Sequence, residues 1–188
     1  MTDLGIDSLK AYKVTQNGIE ADEDRTVVLS PGSGPRTGEW SEDGKHFYVS
    51  NELAASVTHM YYDGDSMQIR ETVTTLPEGD QTENSCADLH LSPNGEYLFA
   101  SNRGHDTIVT FKVAQDGSLS ASSWESCRGK TPRNFAIDPS GKYLLVGNQD
   151  SDCIVVFEIM EDGQLHYIVS KDFPTPVCIR FFQNGLLR

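Results

Sequence analysis

The sequence predicts an all-β fold of repeated four-stranded blades, a β-propeller, and three observations predict it. A reverse-turn glycine recurs in Glu42-Asp43-Gly44-Lys45, Pro93-Asn94-Gly95-Glu96 and Pro139-Ser140-Gly141-Lys142, at spacings of 51 (95 − 44) and 46 (141 − 95) residues. Asn51, Asn102 and Asn148 repeat with the same two intervals. Short apolar runs flank each turn, and no period-3.6 pattern marks a helix. Leucine-rich solenoids have shorter repeats, and helical arrays need amphipathic helices.

The elements follow in chain order. The first unit begins at Asp3, aligned with Asn51, and holds only outer strands, Ser8 to Val14 and about Thr26 to Leu29. In each later unit an aromatic-rich strand follows the turn: His46 to Val49, Tyr97 to Ala100 and Tyr143 to Val146. The repeated Asn comes next, then a strand at Ser56 to Tyr62, Thr107 to Val113 or Cys153 to Ile159. An Asp-Gly turn (Asp63-Gly64, Asp116-Gly117, Asp162-Gly163) leads to a last strand, clearest at Leu165 to Val169. Strands at Ala87 to Leu91 and Asn134 to Ile137 precede their turns. The expected single domain divides into a partial blade over 1–30, blades over 31–80, 81–127 and 128–172, and a partial blade over 173–188 whose inner strand is Pro176 to Phe182. Three full and two partial blades are too few to close a ring. The chain is therefore expected to be a fragment, or to cover its exposed blade edges by self-association.

Composition narrows the function classes. The 188 residues and 37% hydrophobic content suit one ordinary domain. The net charge of −13 repels phosphate backbones and anionic headgroups, so neither nucleic acid nor a membrane is an expected partner. No signal peptide or membrane-spanning run is readable. Cys86, Cys127, Cys153 and Cys178 form no CxxC pair. That pattern reads as reduced thiols in a cytoplasmic protein and not as a disulfide framework or a zinc site.

In an up-and-down blade the glycine turns share one rim, and the segments leading into the inner strand share the other with the second-to-third connections. This second rim collects the chemistry-bearing residues. Arg36 and Arg133 each stand eight positions before a turn glycine, and the connections carry Asn51-Glu52, Asn102-Arg103 and Asn148-Gln149. An arginine cluster in an acidic protein suits a phosphate or carboxylate on a small ligand. The repeated Asn reads first as a residue bonding its own turn. Glu52 and Arg103 differ between repeats, so symmetry does not account for them. His90 lies on a channel-lining inner strand beside Asp88, and His105 on a connecting loop. His46, His59 and His166 read as structural or solvent-facing.

Seven stretches give the chain a resemblance to the lactonase family of bacterial-type 6-phosphogluconolactonases and carboxymuconate-lactonizing enzymes, and specifically to its C-terminal half. They are Asp3-Leu4-Gly5-Ile6-Asp7, Gly34-Pro35-Arg36, Asn51-Glu52-Leu53, Ala87-Asp88-Leu89-His90 with Ser92-Pro93-Asn94-Gly95, Ser101-Asn102-Arg103-Gly104, Pro132-Arg133-Asn134-Phe135 and Gly147-Asn148-Gln149. The resemblance implies a seven-bladed propeller with a cleft at the arginine-rich rim. It implies hydrolysis of a sugar-phosphate lactone, a step of carbohydrate metabolism in the pentose phosphate pathway. Glu52, Arg103 and His90 are then the catalytic candidates, and Arg36, Arg133, Asn51, Asn102 and Gln149 bind a small anionic substrate. The chemistry that the resemblance implies requires no metal or cofactor. The alternatives are a carboxymuconate cycloisomerase and a non-catalytic propeller fragment or scaffold. Two features depart from the family: Thr37 stands where Gly-Pro-Arg is commonly followed by His, and a His usual upstream of the Asp3 segment has no counterpart in this chain.

Overall fold

The computed structural model describes residues 1–182. Five short strands come first: β1 (Thr2–Asp3), β2 (Ser8–Leu9), β3 (Tyr12–Thr15), β4 (Gly18–Ala21) and β5 (Val27–Val28). They form a three-stranded sheet, β1-β2-β5, and a hairpin, β3-β4. Three four-stranded antiparallel sheets follow, each an up-and-down blade. The first is β6 (Pro35–Trp40), β7 (His46–Asn51), β8 (Ser56–Tyr62) and β9 (Met67–Thr74). The second is β10 (Ser85–Leu91), β11 (Tyr97–Arg103), β12 (Thr107–Val113) and β13 (Leu119–Ser126). The third is β14 (Pro132–Ile137), β15 (Tyr143–Asn148), β16 (Cys153–Ile159) and β17 (Leu165–Asp172). The expected all-β architecture of complete and partial blades is what the chain adopts.

A blade buries its faces only against its neighbours, so the core is divided among the seams. Leu9, Leu29, Val49 and Met60 fill the seam between the N-terminal sheet and the first blade. Tyr48, Val57, Leu89, Leu98, Val109 and Phe111 fill the next. Phe99, Ile108, Phe135, Leu144, Val155 and Phe157 fill the third. Each such side chain contributes about 1.5–3 kcal/mol by leaving water.

The repeat extends to backbone irregularities. The inner pair of every blade is bulged, between Pro35 and Gly38, Cys86 and Leu89, and Pro132 and Asn134. Asp7, Ala55, Asp106 and Asp152 all have positive φ, from 44° to 55°. Their carbonyls accept from Leu29, Thr75, Cys127 and Phe173 N–H at 2.8–2.9 Å. The 51-residue unit owes its extra length to the segment between Thr75 and Ser85.

Two local expectations change. The strand expected over Ser8 to Val14 breaks at Lys10 and Ala11, where Met1 and Lys10 exchange two backbone bonds. Asn17-Gly18 then turns the chain into the hairpin β3-β4, whose Val14 and Ile19 face solvent. Pro176 to Phe182 joins no ladder: it lies beside β14, where Ile179 N–H donates to Asn134 Oδ1. Residues 183–188 of the expected last blade lie outside the described residues.

The seam between the first two blades carries a histidine pair in place of the tyrosine and threonine found at the next seam. His46 Nδ1 and His59 Nε2 are 2.9 Å apart, with His59 stacked on Tyr48 and the Gly117 backbone against both rings. Arg70, Glu71 and Asp116 line the same cavity. Burial, then the His46 charge, pushes the His59 pKa down from 6.5 to about 4. The unfolded chain therefore takes up this proton first as pH falls. Thermal melts from neutral pH down to about 4 should show stability lost between pH 6.5 and 4. The loss is at most about 3 kcal/mol. His59→Thr, the residue type of Thr110 at the equivalent position, should flatten that slope.

Candidate active site

The second-to-third connections and the bulged inner strands meet on one rim and bring the charged candidates together. Glu52 follows β7, and its carboxylate lies across the seam between the first and second blades. Oε2 is 2.9 Å from Arg36 Nε of its own blade, and Oε1 is 2.9 Å from Arg103 Nη2 of the next. Both guanidiniums are also tied to the β10 bulge. Arg103 Nη2 donates to the Cys86 carbonyl at 2.9 Å, and Arg36 Nη1 donates to the Ala87 carbonyl. Arg103 Nε is buried without a hydrogen-bond partner. Burial lowers the Arg36 pKa; Glu52 opposes that shift, and the nearby Arg103 and Arg133 cations reinforce it.

Arg133 occupies the position in β14 equivalent to Arg36, but among the described residues it has no ion pair. Thr37, where the family commonly has His, is a seam latch: its hydroxyl donates to the Ala87 carbonyl at 3.0 Å.

His90 stands elsewhere, deeper along the inner strands. Its Nδ1 is 2.9 Å from Glu39 Oε2 on β6, and Nε2 is 3.3 Å from Asp88 Oδ2 but off the line of a hydrogen bond. Asp88 in turn accepts from Phe135 N–H at 3.2 Å and from Asn134 Nδ2, so one chain of contacts links three inner strands. Burial disfavours the imidazolium, yet Asp88 and Glu39 outweigh it and push the His90 pKa up to about 9.

The amide candidates divide. Asn51 and Asn102 are fully buried. Asn51 Nδ2 donates to the Ser56 and Thr58 hydroxyls, and Asn102 Nδ2 to the Thr75 carbonyl at 2.9 Å. Gln149 is half-buried at the rim, with its side chain on Asp150. His105 is held by Thr107 and Asp80. Sequence reasoning missed Cys86 and Ala87, whose contribution is their carbonyls, and Asp7, whose carboxylate accepts from two loop amides. Cys86 and Ala87 are revealed only by the bulge, which has no side-chain signature, whereas Asp7 shares its place in the repeat with Asp106 and Asp152. Among the described residues, no group of three or more His, Cys, Asp or Glu could hold a metal, and no helix is long and apolar enough to cross a membrane.

The sequence model described as "Lactonase, 7-bladed beta-propeller" matches residues 1–181. The chain belongs to this lactonase family. The match overturns the expected likeness to a C-terminal half alone, since it runs over nearly the whole chain. A Pseudomonas aeruginosa periplasmic gluconolactonase superposes with a TM-score of 0.92 at 33% identity, over 97% of this chain and 53% of that one. A putative 6-phosphogluconolactonase of Bacteroides fragilis gives 0.90 at 33%, with the same coverage. An uncharacterised Staphylococcus epidermidis protein is 36% identical over 139 residues, 72% of this chain and 40% of its own length. The chain thus spans about half the length of these solved relatives and less of the curated one. The Pseudomonas relative is described as periplasmic, so the cytoplasmic expectation is withdrawn.

The His90 bridge has a spectroscopic consequence. A folded-state pKa raised from 6.5 to about 9 contributes stability that is complete below pH 6.5 and lost as pH rises through about 9. An NMR titration of the imidazole should show its midpoint near 9, and Asp88→Asn should move that midpoint back toward 6.5.

Proposed function

We propose that this lactonase chain carries the anion-facing part of a site that hydrolyses a sugar lactone, 6-phosphogluconolactone being the finer reading. The observation that carries it is Glu52 held between Arg36 and Arg103 at 2.9 Å from each, with Arg133 beside them and, among the described residues, in no ion pair. Two relatives at 33% identity support the substrate class, one described as a gluconolactonase and one as a putative 6-phosphogluconolactonase.

In this mechanism water adds to the lactone carbonyl while Glu52 accepts its proton. The developing oxyanion is stabilised by Arg103 and Arg36, already fixed by the Cys86 and Ala87 carbonyls so that little reorganisation is needed. Collapse breaks the ring C–O bond, and the proton on Glu52 passes to the departing ring oxygen. The product is the open hydroxy acid. Arg133 binds the substrate's remote phosphate or carboxylate. His90, engaged by two carboxylates, holds the inner strands beneath the site in place of carrying protons.

Glu52→Gln and Arg103→Ala should each lower kcat by about a hundredfold or more. Arg133→Ala should raise KM about tenfold for the phosphorylated lactone, and less for gluconolactone. A wild-type rate no better than spontaneous hydrolysis on both lactones would sink the proposal.

A further inference from the structure

The Asp3 to Asp7 stretch supplies no group to the arginine cluster, yet its last residue is bonded toward it. Asp7, at φ 51°, turns its carboxylate onto the loop that leads into β6. Oδ2 accepts from Gly32 N–H at 2.8 Å and Oδ1 from Gly34 N–H at 2.7 Å. These backbone donors, Gly34 foremost, hold the Asp7 carboxyl below the usual carboxylate range.

The far side of that loop carries the start of the Glu52 turn. Gly34 O accepts from Glu52 N–H at 2.7 Å, and Ser33 O accepts from Leu53 and Ala54 N–H at 3.2 and 3.3 Å. There is no slack between loop and turn: a Cβ on Gly34, at φ 60°, would stand 2.5 Å from Leu53 Cγ. Two residues after Gly34 the chain places Arg36. The Glu52 carbonyl is fixed from the other blade by Cys86 N–H at 3.2 Å.

The same clamp recurs where the repeat puts an aspartate in this conformation. Asp106 Oδ1 accepts from Thr131 N–H at 2.9 Å and Asp152 Oδ1 from Thr175 N–H at 2.8 Å. Asp152 therefore makes a matched clamp two blades away from Glu52.

We propose that Asp7 is a positioning residue of the site, setting Glu52 between Arg36 and Arg103 through the Gly32–Gly34 loop. Its catalytic consequence rests on the role assigned to Glu52 above; its structural consequence does not.

The test compares Asp7→Ala, Asp7→Asn and Asp152→Ala by amide hydrogen exchange and by lactone kinetics. Asp7→Ala should speed exchange at the Glu52, Leu53 and Ala54 amides about tenfold and lower kcat about tenfold, with KM changed less. Asp7→Asn, which keeps one acceptor oxygen, should recover part of both and stands in if the alanine variant fails to fold. Asp152→Ala should lose comparable thermal stability with neither effect. Unchanged exchange at those three amides in the Asp7 variants overturns the proposal, as does an equal kcat loss in Asp7→Ala and Asp152→Ala. If the wild type turns over no lactone, the function falls separately. Exchange then decides alone, sustaining the clamp if accelerated and overturning it if not.

Discussion

In the first two blades the inner strand carries two residues where its neighbour carries one. Arg36 and Thr37 oppose Ser50, and Ala87 and Asp88 oppose Ser101. The serine hydroxyls stand in for the lost ladder acceptor, taking Thr37 N–H at 3.2 Å and Asp88 N–H at 3.0 Å. The bulge thereby frees the Ala87 carbonyl to face the preceding blade, where Arg36 and Thr37 both donate to it. Arg36 Nη1 also reaches the Thr37 hydroxyl at 3.3 Å, so its guanidinium is held at the seam by Glu52, Thr37 and the Ala87 carbonyl together. The geometry of the charged site is thus set first by backbone register and only then by charge.

The register also explains how three cations coexist. Like charges at close range are costly unless neutralised or solvated. Glu52 neutralises two of them in part, and the carbonyl oxygens of Cys86 and Ala87 replace water lost from their donors. Among the described residues Arg133 has no such partner, and it is half-buried, so solvent can screen its charge.

Much of this was legible in the sequence, for a physical reason. Asx-Gly turns are locally encoded, and their spacing gives the blade length without knowledge of any contact. The strands at Ser56–Tyr62, Thr107–Val113 and Cys153–Ile159 lie where the turns place them. The rim argument gathered Arg36, Glu52 and Arg103 as candidates because it needs only the up-and-down order. It could not reveal that they pair across a seam, since that depends on the rotation between blades. Nor could it see His90 locked between Glu39 and Asp88, one of which comes from another blade. The hairpin at Asn17-Gly18 carried a plain local signal, but no strand is expected from the sequence between Val14 and Thr26. The seam role of Thr37 depends on a main-chain oxygen that composition never displays.

The seam between the first and second blades departs from its neighbours at one point. Ala55 holds the position where Asp7, Asp106 and Asp152 clamp the following segment, and the segment after it, Pro77 to Asn84, contains the unit's extra residues. The ends of this stretch are secured without the missing carboxylate: Thr75 N–H bonds the Ala55 carbonyl, and Cys86 N–H bonds Glu52. Its crown is braced mainly through side chains, Asp80 against His105 and Asn84 against Asn102 and the His105 amide, with Asp80 N–H also bonding Pro77 O. An arch with fixed footings and a loosely braced crown can be lengthened, shortened or recharged without moving what it stands on. Glu52 and its two arginines are held through other segments, so changes confined to the crown leave their bonds in place.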